Sequence, residues 1–312
     1  MGHNGPMDKK LTYRSLEQLK TKPDILIEAL PFIRLLQGAR IVIKIGGKAL
    51  SNPSFVKKFA KDVVLLKTIG MHPVIVHGAG DKIQEILEDY RFNHHDPAPP
   101  LRKENQTNLL AEMILRSVIN TDLVSAIHKA RGKAIGLCGT DANFVLAKKT
   151  KQVKRVQSDS NIEQIQMDYI GRTYHVNTQL IDHLLEKDFI PVIAPIAYTS
   201  DRETVLVNAD ELAGSLASAL IADRLLLLAD LDSLYDAQDH FLSKLSFFEL
   251  EQMIVSHKVN ESLLYKLKVI SKALQNKTAK AALIPELEPH GILLSLLSEK
   301  GSGTSFEQED EQ

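Results

Sequence analysis

The stretch 41–50, IVIKIGGKAL, sets Lys44 inside a β-branched run and closes that run with Gly46-Gly47. At 73–87, PVIVHGAGDKIQEIL repeats the theme: an apolar strand, the turn Gly78-Ala79-Gly80, then a helix. Backbone N–H groups at a helix start lack intrahelical acceptors and lie at the positive end of the helix dipole, so they favour anions. Glycine lets such backbone come close to a ligand. Lys44, near its strand's carboxyl end, is placed to lay an ammonium across a transferring phosphoryl group. Neither turn has P-loop or dinucleotide-fingerprint spacing. Taken singly each reads as a tight strand–helix turn; two of them with an in-strand lysine favour a phosphate site.

Further along, VLVNADELAGSLASAL (205–220) puts Asn208-Ala209-Asp210 at a strand-to-helix transition. Asn208 suits a helix N-cap, and Asp210 is either part of the same cap or a carboxylate that orients lysines or a metal–nucleotide complex. In LLLLADLDSLYD (225–236), Asp230, Asp232 and Asp236 follow a buried strand. Nucleotide or magnesium binding and ordinary turn chemistry both fit them. Lys266 lies early in a helix whose apolar face carries Leu263, Leu264, Leu267 and Ile270, where a lysine ordinarily snorkels to water. His94-His95-Asp96 reads as a solvated loop, because three adjacent residues seldom face one ion; no resident metal site is expected. The sole cysteine, Cys138, excludes an intrachain disulfide and a cysteine zinc cluster and reads as a buried, inert thiol. No Ser/His/Asp or Cys/His spacing supports nucleophilic hydrolysis.

The elements that must position these groups alternate from residue 39 onward: strand 39–45, helix 54–69, strand 73–77, helix 81–90, a proline-rich loop, helix 107–130 and strand 133–137. Short alternating stretches at 143–176 read as rim hairpins. Helix 178–187, strand 190–194, helix 210–222, strand 224–229, helices 246–256 and 262–275, strand 279–284 and a last helix and loop follow. Such alternation predicts a mainly parallel sheet covered on both faces, with ligands at the strands' carboxyl ends. Before it, 15–37 predicts a helix apolar on more than one side, suited to packing on another subunit, with a bend or break at Pro31. The chain divides into an extension (1–38), a first lobe (39–198), a second lobe (199–306) and an acidic tail (307–312), the lobes meeting at YTSDRET. Its 312 residues carry a net charge of −1, which points away from nucleic acid, and no apolar run reaches membrane-span length. With no secretory signal in MGHNGPMDKKLTYRS, a cytoplasmic location is expected.

Six segments in order resemble the amino acid kinase family: EALPFIRLLQGARIVIKIGGKAL, FAKDVVLLKTIGMHPVIVHGAG, LVSAIHKARGKAIGLCG, HLLEKDFIPVIAPIA, VNADELAGSLASAL and HGILLSLLSEKGSGT, spread over 28–304. The likeness is greatest to members that phosphorylate N-acetyl-L-glutamate in arginine biosynthesis. It implies an α/β, three-layer αβα sandwich of two lobes, the first taking the acyl amino acid and the second ATP with Mg2+. The γ-phosphoryl group would pass to the side-chain carboxylate, giving an acyl phosphate. By resemblance, Lys44 and Lys266 flank the phosphates and Asp210 holds them. Gly46, Gly47, Gly78 and Gly80 offer amides, and Arg102 clamps a substrate carboxylate. Ala79, Leu206 and Asn208 fall at the substrate side, Asp230 and Asp236 at the nucleotide side. The N-terminal helix resembles that of arginine-inhibited hexameric members, and 298–304 the loop that helps form their arginine site, so a homo-oligomer, dimer or hexamer, is expected.

Several positions depart from the family pattern. Ala79 replaces a glycine and Leu206 an asparagine, Glu261-Ser262 stands for a glycine pair, Ala229 and Ser233 depart from a Thr/Ser and a glycine, Ser295 replaces a glutamate, and the wording around Arg102 differs. These changes cluster at ligand-facing positions. They motivate an alternative: a non-catalytic or altered-substrate relative acting as a regulatory or interaction subunit.

Overall fold

The computed structural model describes residues 13–78, 86, 104–150, 171–230, 234, 242–257 and 259–308. β-Branched and leucine-rich runs form the central strands β1 (Arg40–Ile45), β2 (His72–His77), β3 (Ala134–Cys138), β6 (Ile190–Ala194), β9 (Arg224–Ala229) and β11 (Lys280–Pro285). Nearly every residue of these strands is sealed from water, apart from Ile135 and Gly136 in the middle of β3 and the end residues of β1, β2, β9 and β11, as strands covered on both faces must be. Between them run α3 (Pro53–Thr68), α4 (Glu104–Met113) continued through a π-helical turn at Ile114–Ile119 into α5 (Asn120–Lys129), α6 (Gln179–Glu186), α7 (Ala209–Ala219), α8 (Phe247–Ser256), α9 (Glu261–Gln275) and α10 (Gly291–Leu297). A short helical turn, α2 (Gly47–Leu50), follows β1 directly.

The main sheet has eight strands in the order β10-β12-β11-β9-β1-β2-β6-β3, where β10 is Lys244–Ser246 and β12 is Thr304–Glu307. Its core pairs are parallel; β12 pairs antiparallel with β11 and parallel with β10, so these two edge strands run opposite to the rest. A second sheet, β5-β4-β7-β8, comprises Val145–Lys149 (β4), Gly171–Val176 (β5), Ile196–Tyr198 (β7) and Thr204–Leu206 (β8). The expected rim hairpin is present in β4 and β5, which pair antiparallel. The turn at 199–203 joins β7 to β8, with Thr199 N–H donating to Glu203 O at 2.9 Å.

β1 is central, and alternation along it sorts two cores. Ile41, Ile43 and Ile45 face a cluster with Phe59, Val63, Leu123 and Ile127. Val42 faces the opposite cluster, with Leu212, Leu216 and Ile270. Lys44 shares the parity of Val42, so it points to the α7 side. The sequence changes direction here: β2 lies on one flank of β1 and β9 on the other, and ligands gather at such a switch point.

Two expectations are corrected. The first helix, α1 (Tyr13–Leu35), continues through Pro23 and Pro31, so of the bend or break expected at Pro31 the break does not occur. Pro31 and Ile27 are both exposed, so the carbonyl that loses its N–H partner at the proline can be met by water. Glu307, read as part of a solvated tail, ends β12 and forms ion pairs with Lys244 and Lys280. The expected helix 81–90 apart from Ile86, the segment with His94-His95-Asp96, residues 151–170, Asp232, Ser233 and residues 309–312 lie outside the described residues.

Candidate active site

α7 begins where it does because Asn208 caps it: its Oδ1 accepts from Asp210 N–H at 2.8 Å and Glu211 N–H at 3.2 Å. The cap places Asp210 in the first turn, facing Lys44 from β1. Lys44 Nζ stands 2.9 Å from Asp210 Oδ1, and Lys266 Nζ, from α9, stands 3.4 Å from Asp210 Oδ2. Lys266 Nζ also donates to Ser262 Oγ at 3.2 Å. One carboxylate thus holds two ammonium groups, all three side chains nearly sealed from solvent. Burial alone would raise the Asp210 carboxyl; the ammoniums of Lys44 and Lys266 outweigh it and hold Asp210 below the usual aspartate value.

The approach of α9 to α7 depends on Gly214. A Cβ there would meet Val269 Cγ1 at 2.6 Å, so only glycine allows this spacing. A second bond ties the same helices: Tyr265 O–H donates to Glu211 Oε2 at 2.8 Å, and burial followed by the Glu211 charge pushes the phenol up. Tyr265 and Glu211 are positioning residues that no sequence motif singled out, although each neighbours a chemical residue in the chain.

Gly46 and Gly78, the first residues of the two glycine turns, come together. Gly78 N–H donates to Ile45 O at 2.8 Å, and a Cβ built on Gly78 would lie 3.8 Å from Ala209 Cβ and 3.9 Å from Gly46 Cα. Gly46, Gly78 and the start of α7 therefore converge on Lys44. Gly46 has φ −91°, so no left-handed backbone calls for glycine there; a Cβ would instead crowd the Glu286 carboxylate. Lys48, from the first turn, pairs with Asp230 after β9 at 2.8 Å.

His77, just before Gly78, is wholly buried and lowered to about 4 by burial. The hydrogen-bond network assigns its tautomer: Nδ1–H donates to Gly78 O at 3.1 Å, and Nε2 accepts from Asn120 Nδ2 at 3.1 Å. Asn120 also donates to Val192 O at 2.9 Å, and Gly136 leaves it room, since a Cβ there would lie 2.0 Å from Asn120 Oδ1. This network, also unmarked in the sequence, holds Gly78 to the sheet.

Leu206 ends β8 buried in the apolar cluster of β1 and presents no polar group. Glu261 and Ser262 open α9 exposed. Cys138 is a buried free thiol pushed up to about 11 by burial. It borders a cleft of about 290 Å³ with Arg116, Asn120 and Asp141, away from Lys44. Among the described residues no three His, Cys, Asp or Glu side chains form a metal-binding group. Ala79, Gly80, Arg102 and Asp236 lie outside the described residues.

A carboxylate-held pair of lysines beside Gly46 and Gly78, at the carboxyl ends of a parallel sheet, gathers more positive than negative charge and can therefore receive an anion. Residues 39–284 match the amino acid kinase family. The chain belongs to the amino acid kinase family. Among the relatives it matches are the acetylglutamate kinases of Zymomonas mobilis, 36% identical over 94% of this chain and 97% of that protein, and of Trichlorobacter lovleyi, 35% identical over 93% and 99%. Among solved structures, N-acetylglutamate synthase from Neisseria gonorrhoeae superposes with TM-score 0.74 at 20% identity, covering 92% of this chain. The chain spans 64% of that synthase's length. Giardia carbamate kinase matches with TM-score 0.62 at 15% identity, covering 87% of this chain and 99% of that one. At such identities the two structures establish the fold alone. No described helix is long and apolar enough to cross a membrane.

Proposed function

We propose that the chain is an ATP-dependent kinase of N-acetyl-L-glutamate, working in the cytoplasm in arginine biosynthesis. The observation that carries this reading is Asp210 holding Lys44 and Lys266 together beside the two glycine turns. The relatives named acetylglutamate kinase supply the substrate.

In the reaction, a side-chain carboxylate oxygen of N-acetyl-L-glutamate forms a bond to the γ-phosphorus while the bond from that phosphorus to the β–γ bridging oxygen breaks, leaving ADP and an acyl phosphate. The attacking carboxylate is already ionised, so no general base is needed. What the reaction needs is alignment of two anions and neutralisation of charge on the transferring oxygens. Lys44 and Lys266 are placed for the second task, and Asp210 keeps their ammoniums from separating. The turns at Gly46-Gly47 and at Gly78-Ala79-Gly80 offer amides, Arg102 would clamp a substrate carboxylate, and Leu206 and Asn208 would border the acyl amino acid. Asp230 and Asp236 belong to the nucleotide side. Magnesium would come as the companion of the triphosphate and would supply neutralisation of phosphate oxygens, with Asp230 and Asp236 as the carboxylates on that side. Residues 39–198 would then serve mainly the acyl amino acid and 199–306 the nucleotide. By resemblance, arginine would act as an inhibitor through the loop 298–304.

Acyl phosphate trapped as hydroxamate, with N-acetyl-L-glutamate and MgATP, tests the proposal. Wild type is expected to exceed Lys44→Ala by at least about a hundredfold; equal yields would sink it. The buried, apolar Leu206 favours a second reading, a nucleotide-binding relative with a different acyl acceptor, and activity across acidic acyl amino acids separates the two.

A further inference from the structure

Among the described residues the buried carboxylates are Asp62, Asp210 and Glu286. Asp62 is met by His290 at 2.7 Å and Asp210 by the two lysines. Glu286 has no part in the phosphoryl-transfer reading, yet it reaches the first glycine turn. Its backbone N–H donates to Ala229 O at 2.8 Å, which seats it at the end of β9, directly after β11. From there its side chain crosses to the turn after β1, and Oε1 accepts from Ala49 N–H at 3.2 Å. The carboxylate is pressed against Gly46 so closely that a Cβ on that residue would lie 2.1 Å from Oε1. Lys44 from β1, Lys48 from α2 and Asp230 from the end of β9 are the charged groups that face it; burial pushes the carboxyl up.

A carboxylate in this place has two opposed effects. Its hydrogen bond fixes the turn Gly46–Leu50, whereas its charge opposes a polyanion arriving at the same turn. We propose that Glu286 is a positioning residue for the nucleotide: it clamps the first glycine turn from β11 so that the remaining amides keep the form that receives phosphate. The proposal rests on the phosphoryl-transfer reading for the identity of the ligand, but the clamp itself is a property of the protein alone.

Calorimetric titration with MgATP and with N-acetyl-L-glutamate, on wild type, Glu286→Gln and Glu286→Ala, separates the two effects. Glutamine keeps an acceptor and removes the charge, so it should bind MgATP as tightly as wild type or about threefold tighter. Alanine removes the acceptor as well as the charge, so it should bind about five- to tenfold more weakly than glutamine, the loss expected for one net hydrogen bond. Affinity for N-acetyl-L-glutamate should stay unchanged in both. Hydrogen exchange without ligand supplies the independent arm: residues 46–50 should exchange about tenfold faster in Glu286→Ala and at the wild-type rate in Glu286→Gln. An alanine variant that binds MgATP as well as the glutamine variant, or that keeps its exchange protection, overturns the proposal, as do parallel losses for both ligands. Should Glu286→Ala fail to fold, weaker MgATP binding by Glu286→Gln than by wild type overturns it as well. No MgATP binding by wild type, with the exchange pattern as expected, overturns the phosphoryl-transfer reading and leaves the clamp standing.

Discussion

Asp210 sits between Lys44 at 2.9 Å and Lys266 at 3.4 Å, so at the scale of residues its charge decides whether two ammonium groups can share one buried space. Asp210→Asn keeps the shape and removes the charge. The expected outcome is a fall in kcat of about a hundredfold or more and a stability loss of about 3 kcal/mol, because two buried cations lose their counter-ion. Steady-state kinetics and urea denaturation measure the two effects. A second residue-scale effect belongs to His77. Its folded value is lowered to about 4, whereas an unfolded histidine titrates near 6.5. Between these values the unfolded chain binds a proton that the native chain refuses. The stabilisation is therefore full above about pH 6.5 and is lost as pH falls toward 4, by about 3 kcal/mol in all. Asp210 has its own window, lower on the scale: its depressed carboxyl contributes above the ordinary aspartate value, and that contribution is lost as pH falls further. Urea midpoints from pH 7 to 4.5 should fall steeply in wild type and less steeply in His77→Gln; identical slopes would refute the assignment to His77.

Elements position what residues perform. Lys266 reaches Asp210 only because α9 lies close on α7, and Gly214 against Val269 sets that distance. Gly214→Ala should push the helices apart, lower stability by about 1–3 kcal/mol and reduce kcat. Val269→Ala in the same chain makes room for the new methyl group and should restore much of the activity. Failure of the double variant to recover would mean that the glycine is needed for something other than packing. The sequence makes the strand–turn–helix units legible here: β-branched runs, glycines at their ends, and the Asn208 cap all lie within a few residues of one another. The two minor sheet strands β7 and β8, the turn Gly47–Leu50 and β12 were not legible, because segments of three or four residues are shaped by their neighbours and carry too few residues for a period to show. Pro31 misleads for a related reason: its exposure, which lets the helix continue, is a tertiary fact.

For the whole molecule, α1 leaves Ile25, Leu26, Ile27, Leu30 and Leu35 exposed on the single chain. A helix with this much uncovered apolar surface is best accommodated in an assembly, so a homo-oligomer is expected through α1. Light scattering behind size exclusion should show a smaller species for Leu26→Glu/Ile27→Glu, with the fold retained by circular dichroism; an unchanged mass would argue against this surface.

Composition, alternation and punctuation in the sequence by themselves determined an α/β protein with a mainly parallel sheet, glycine turns at strand ends and a lysine committed to a buried strand. Those features are local, since hydrophobic period and turn chemistry are written in neighbouring residues. Only the tertiary structure decided that Asp210 bridges Lys44 and Lys266, that His77 and Asn120 anchor Gly78, and that Glu286 crosses from β11 to the turn after β1. Each of these joins residues far apart in the chain, and their distance in space is set by strand order and helix packing, which no short stretch of sequence contains.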